Sequence, residues 1–226
     1  DSYGSSGIMV EGLLMPKEIR RGGTILFLLA GLIGLFFSYK RGIVILILAV
    51  IGAICGYFYT GKPLKLKYRG LGAPVVFITF GPLMVFGAYY LQVQEFNLKT
   101  LLVSIPLGLL TTAILHVNDI RDIQYDKRAG IKTLSMFVGI KNANLIYFSL
   151  IIFSYISVII MVFFKVIPYW SLICLITLPS GIKNINRLRM ANGSSDVIAN
   201  LDQETAKLQA KFGILLIVSI IVSFVI

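Results

Sequence analysis

Three aspartates at one end of an apolar stretch are the residues of this chain best placed to do chemistry. The run Asn118-Asp119-Ile120-Arg121-Asp122-Ile123-Gln124-Tyr125-Asp126-Lys127-Arg128-Ala129-Gly130 follows directly on apolar sequence that ends near Val117. If a helix continues through the run, 100° per residue brings Asp119, Asp122 and Asp126 within about 60° of one another. Two like charges about 6 Å apart repel by on the order of 3 kcal/mol at an effective dielectric near 20, so the stripe calls for a compensating cation. Hard carboxylate oxygens suit Mg2+, which takes one or two carboxylates and completes its octahedron with water and phosphate oxygens. Arg121, Lys127, Arg128 and Lys132 follow closely enough to meet the phosphate itself. The same run also reads as a solvated helix end with internal Asp to Lys/Arg pairs. His116, the only histidine, falls on the stripe of Asp119. It can face the site, or serve as a hydrogen-bonded packing residue where the apolar stretch ends.

A second cluster runs from Tyr57 to Gly72, Y-F-Y-T-G-K-P-L-K-L-K-Y-R-G-L-G, where glycines and a proline break the helix. Tyr59 and Tyr68, with Tyr57, are equally suited to an interfacial aromatic belt and to substrate contact. Lys65 and Lys67 alternate with leucines, so one edge of the loop can lie on lipid while the other faces anions.

The elements that must position these clusters are membrane spans. The chain has 226 residues, of which 57% are hydrophobic and only 14% charged, with a mean hydropathy of +0.88. Soluble domains run nearer a quarter charged. Apolar runs near 22–38, 42–59, 73–91, 100–117, 142–164, 166–182 and 211–226 predict seven transmembrane helices in an all-α polytopic bundle. This composition excludes disorder, a disulfide-stapled secreted module and a nucleic-acid-binding domain, despite a net charge of +11. Cys55 and Cys174 each lie within an apolar run and read as reduced packing residues. The chain starts at Asp1 without an apolar leader, which predicts that its true N-terminus lies upstream.

The connections alternate in charge. One face holds only Lys40, Arg41, Lys99 and Lys165 of the 21 basic residues, so the positive-inside rule makes the opposite face cytoplasmic. Of the 10 acidic residues, all but Glu95 share that cytoplasmic face. Orientation needs no carboxylates, so mixed charge on one face marks a site.

The run N-D-I-R-D-I-Q-Y-D-K-R-A-G-I-K-T-L, Asn118 to Leu134, closely resembles the second aspartate-rich motif of the UbiA superfamily of intramembrane aromatic prenyltransferases. The similarity is greatest to the branch that prenylates 1,4-dihydroxy-2-naphthoate in menaquinone synthesis (MenA) and to its animal UbiA-domain relatives. Y-T-G-K-P at Tyr59 to Pro63, G-L-G at Gly70 to Gly72, F-G-P-L at Phe80 to Leu83 and T-A-K-L at Thr205 to Leu208 are similar too. The resemblance covers essentially the whole chain, 1–226, as one membrane domain. It implies a nine-helix fold whose first two helices precede this sequence, with Asp1 as the last aspartate of a first motif, N-D-x-x-D followed by G-x-D. Ala73 departs from relatives that often carry Asp or Glu there.

What the resemblance implies is a transferase that moves an isoprenyl chain from a polyprenyl diphosphate to an aromatic ring. Two Mg2+ ions would serve as Lewis acids and template. Asp122 and Asp126 would be catalytic metal ligands, with Asp119, Asn118 and the distant Asp1 in support. Lys67 corresponds to a basic residue that meets the diphosphate in some relatives. Arg121, Lys127 and Lys132, with Tyr59, Tyr68 and His116, are the remaining candidate substrate contacts. Alternatives are an acceptor of another kind, such as 4-hydroxybenzoate, a homogentisate-type ring or a lipid alcohol, and a cation- or proton-coupled transporter. Transporter sites usually sit near the midplane, whereas these acids sit at one face. The D-G-x-x-A-R run of CDP-alcohol phosphotransferases is missing.

Overall fold

Apolar length decides the helices, and glycine and proline decide where they end. The computed structural model describes residues 11–191 and 193–225. Among these, α1 (Pro16–Arg41) and α2 (Ile43–Thr60) form a hairpin about Gly42, and a 3-10 turn (Leu66–Arg69) leads into α3 (Gly72–Ile78). A π-helical segment (Thr79–Leu83) carries the chain on into α4 (Met84–Val93). Then come α5 (Leu98–Arg121), the short α6 (Ile123–Arg128) and α7 (Leu134–Phe163). A 3-10 stretch (Tyr169–Thr177), α8 (Leu178–Ala191) and α9 (Leu201–Val225) complete the order. No strand occurs among the described residues. The architecture is the all-α membrane bundle that composition predicts.

Six helical segments are long and apolar enough to cross a bilayer: α1, α2, the continuous Gly72–Val93, α5, α7 and α9. The seventh expected span, 166–182, is helical but divided. Pro179 lacks the N–H that would bond one turn back, and it sits in the first turn of α8, where a missing donor costs nothing. The tighter 3-10 geometry occupies the apolar residues before it. α9 begins at Leu201, well before the apolar run at 211, so its charged first turns are helical too.

The core lies between α5, α7, α8 and α9, where Leu110, Val117, Tyr147, Ile151, Leu188, Leu208 and Phe212 are fully or almost fully buried. Lipid tails offer helices no hydrophobic drive to associate, so close packing and interhelical hydrogen bonds must hold the bundle. Gly81 of the π segment and Gly108 of α5 let their backbones approach closely. A Cβ built on Gly108 would lie 3.1 Å from the Gly81 Cα and 3.2 Å from the Phe77 ring. Hydroxyl pairs tie the rest, Tyr147 to Thr205 at 2.7 Å, Tyr155 to Thr177 at 2.9 Å and Ser171 to Ser219 at 2.9 Å. Thr205 opens the T-A-K-L motif, and its side chain is committed to this packing. By contrast α1 has no buried residue, and its apolar side chains are exposed among the described residues.

Candidate functional site

The acid cluster forms where α5 ends, and the basic loop after α2 is folded over it. Gly70, at φ 75, lets the chain turn while Phe137 packs against it; a Cβ there would lie 2.8 Å from that ring. Gly72 then packs against Lys67 and Leu115, which seats the 3-10 turn on α5. The result is an ion pair across the chain: Lys67 Nζ lies 3.7 Å from Asp119 Oδ1. Asp119 is only 4% exposed at its side chain, whereas Lys67 keeps 27% and so retains access to water. The charges of Asp122 and Asp126 also act on Asp119, so the three aspartates lie within electrostatic range of one another.

They do not share one continuous helix. α5 stops at Arg121, and Asp122 leaves helical geometry at φ −91, ψ 4 to begin α6. The unbroken helix expected there is therefore interrupted at Asp122, although the bonds from Asp122 N–H to the Asn118 carbonyl (2.9 Å) and from Asp126 N–H to the Asp122 carbonyl (2.8 Å) run on across it. Asp126 is half-buried, and that burial pushes its carboxyl above the usual range. Lys67 pulls it back down, and the neighbouring Asp122 pushes it up again.

Two expected substrate contacts turn elsewhere. Arg121 is buried, with its guanidinium taken up by Asp122, Asp202 and the Ala199 carbonyl, so it does not face a ligand. His116 is fully buried against α7, its Nε2 2.9 Å from the Ala143 carbonyl oxygen, because α7 packs on that side of α5. Lys127 and Lys132 are exposed beside the cluster, and the Asn118 Oδ1 is buried without a hydrogen-bond partner. Asp1 lies outside the described residues. Asp202 was not legible as a partner, since it lies far from Arg121 in sequence; its place in the first turn of α9 is the only signal.

An apolar cleft of about 340 Å³ adjoins the cluster at Tyr59. It is lined by Cys55, Gly56 and Tyr59 of α2, Val75 and Val76 of α3, and Thr79 and Phe80 of the π segment. Pro82 sits inside that segment, and the wider π turn carries two of the lining residues. Tyr59 belongs to both features, lining the cleft while lying in the field of Asp119 and beside Tyr68. Lys65 in turn sits over the Tyr68 ring at 6.0 Å. A long apolar chain with an anionic end fits this arrangement, its tail in the cleft and its head at Lys67 and the acids.

The donor set also fits a hard divalent cation. Its members are oxygens only, those of Asp119, Asp122 and Asp126 with the unpartnered Asn118 Oδ1. Among the described residues no three or more His, Cys, Asp and Glu side chains gather closely enough to hold a metal by themselves. An ion that uses one or two carboxylates and fills its shell with water and phosphate needs no such cage.

The sequence model of the UbiA prenyltransferase family matches residues 8–199. A 1,4-dihydroxy-2-naphthoate octaprenyltransferase of Bacillus subtilis (strain 168) is 27% identical over 224 residues, 99% of this chain and 72% of the relative. UbiA prenyltransferase domain-containing protein 1 of Mus musculus is 33% identical over 221 residues, 95% of this chain. Its counterpart in Dictyostelium discoideum is 35% identical over 179 residues, 79% of this chain. The chain spans 62% of the mouse relative's length and 52% of the Dictyostelium one.

Proposed function

Because this chain belongs to the UbiA prenyltransferase family, we propose that it transfers an isoprenyl chain from a polyprenyl diphosphate to an aromatic acceptor. The acceptor is 1,4-dihydroxy-2-naphthoate, as in the name of the Bacillus relative; the prenyl group replaces the ring carboxylate, which leaves as CO2, and the resulting quinol is the reduced form of demethylmenaquinone. One observation carries the transfer chemistry: the apolar cleft meets the aspartate and lysine cluster at Tyr59. The protein is an integral, multi-pass membrane protein, and the positive-inside rule puts this cluster on the cytoplasmic side.

The side chains divide the work. The cleft takes the isoprenoid tail, whose burial contributes about 0.8 kcal/mol per CH2 and explains the membrane setting. Lys67, partly exposed and paired only at 3.7 Å, turns from Asp119 to the diphosphate oxygens. Asp126 and Asp119, with Asn118 and Asp122 beside them, would hold Mg2+, which would supply positive charge to neutralise the leaving diphosphate. Val75, Val76 and Phe80 keep water from the allylic carbon while the acceptor ring attacks it. The Tyr59 ring, which lines the cleft, offers its π face to that carbon as it becomes positive, and the exposed Lys127 and Lys132 receive the released diphosphate.

Washed membranes containing the intact protein, supplied with polyprenyl diphosphate and Mg2+, test this directly. Dihydroxynaphthoate is expected to become prenylated with matching diphosphate release, and 4-hydroxybenzoate to remain unchanged. Transfer to 4-hydroxybenzoate alone would replace the acceptor. Ion flux in vesicles with no transfer to any ring would replace the enzyme by a transporter.

A further inference from the structure

The buried guanidinium of Arg121 is the strongest feature that this chemistry leaves unused. Arg121 is 4% exposed. Its Nε donates to Asp122 Oδ1 at 2.8 Å and its Nη2 to Asp122 Oδ2 at 3.0 Å, a two-bond fork. Its Nη1 donates to the Ala199 carbonyl at 3.2 Å and lies 3.1 Å from Asp202 Oδ2. The other oxygen of Asp202 is buried without a partner, so within the described residues that carboxylate serves Arg121 alone.

A fork fixes the plane of a carboxylate as well as its distance, which a lysine, a point charge on a flexible stem, does not do. Each Asp122 oxygen accepts one N–H and keeps lone-pair capacity for a further partner, and the charge of Asp122 acts on both Asp119 and Asp126. Asp122 sits at the break between α5 and α6; its N–H donates to the Asn118 carbonyl at 2.9 Å and its carbonyl accepts from the Asp126 N–H at 2.8 Å, but these backbone bonds leave the direction of its carboxylate open. The guanidinium provides that direction, and α9 and the turn before it hold the guanidinium.

We propose that Arg121 is a positioning residue for Asp122, and that Asp202 positions Arg121, so that the first turn of α9 sets how tightly the acid cluster holds its divalent cation. This rests on the functional reading above for the purpose of the cation, but metal affinity can be measured without turnover.

Mn2+ binding to the purified intact protein, followed by electron paramagnetic resonance, is the primary test, with half-saturating Mg2+ for prenyl transfer as the second. Loss of an outer-sphere partner weakens metal binding by roughly 10–100-fold. Arg121→Lys, which keeps the charge and loses the fork, and the isosteric Asp202→Asn are each expected to weaken Mn2+ binding by about 10-fold or more. Half-saturating Mg2+ rises by the same factor, while KM for the prenyl diphosphate at saturating Mg2+ stays constant. Asp202→Glu, which restores the charge, is expected to recover part of the Mn2+ affinity. Gel filtration and melting temperature show which variants are folded, and Asp202→Asn decides alone if Arg121→Lys is not. Unchanged Mn2+ affinity in the folded variants overturns the proposal, as does a raised diphosphate KM with unchanged Mn2+ affinity in Arg121→Lys. A wild-type protein that binds Mn2+ but prenylates no ring defeats the functional reading, and the Mn2+ series still decides this one.

Discussion

Replacing Lys67 by Met separates the two ends of the site. The unbranched stem is kept and the charge is lost, so packing against Gly72 changes little. With Nζ 3.7 Å from Asp119 Oδ1, the pair attraction is about 4 kcal/mol at an effective dielectric near 20, strong enough to hold the ammonium at the cluster until an anion arrives. A charge-assisted hydrogen bond to the diphosphate contributes about 1.5–3 kcal/mol, so KM for the prenyl diphosphate should rise by about 10- to 150-fold. The divalent cation should respond in the opposite sense, because the variant removes a positive charge that competes for Asp119. Half-saturating Mg2+ is therefore expected to stay constant or fall. Initial rates of prenyl transfer in washed membranes, with diphosphate and Mg2+ varied independently, read both quantities. A diphosphate KM equal to wild type, or an Mg2+ requirement that rises in step with it, would refute the assignment of Lys67 to the leaving group.

Asp126→Asn should abolish Mg2+-dependent transfer while leaving the melting temperature near wild type, because Asp126 forms no ion pair with a basic side chain among the described residues. Asp122→Asn should abolish transfer too, but with a lower melting temperature, since it removes the charge facing the buried Arg121; breaking such a pair costs roughly 3–5 kcal/mol. Gly108→Val places a branched side chain against Gly81 and Phe77 and should destabilise the bundle by about 1–3 kcal/mol, read as a lower melting temperature in detergent.

The fold was largely legible because lipid leaves few options: an apolar run long enough to cross becomes a helix, and 3.6-residue periodicity needs no tertiary knowledge. The convergence of Asp119, Asp122, Asp126 and Lys67 was legible for a related reason, since the acids lie within one or two turns of each other and the lysine lies on the next connection at the same face. What escaped the sequence depends on partners distant in the chain. Arg121 looked like a phosphate ligand among lysines until Asp202 and Ala199 closed around it, and nothing local marks them. His116 was drawn from the site by a carbonyl on α7. The break at Asp122 has neither glycine nor proline to announce it, and the divided helix at 166–182 turned on Pro179 within an otherwise continuous apolar run.

The central claim, that the cleft beside Tyr59 and the aspartate cluster form one prenyl diphosphate site, can be tested by photo-crosslinking. A prenyl diphosphate with a diazirine in its tail, irradiated with the intact protein in membranes and mapped by peptide mass spectrometry, should mark Cys55 to Tyr59 and Val75 to Phe80. Excess unlabelled prenyl diphosphate should suppress that labelling. Labelling confined to the lipid-facing surface of α1 or α8, and insensitive to competitor, would contradict it.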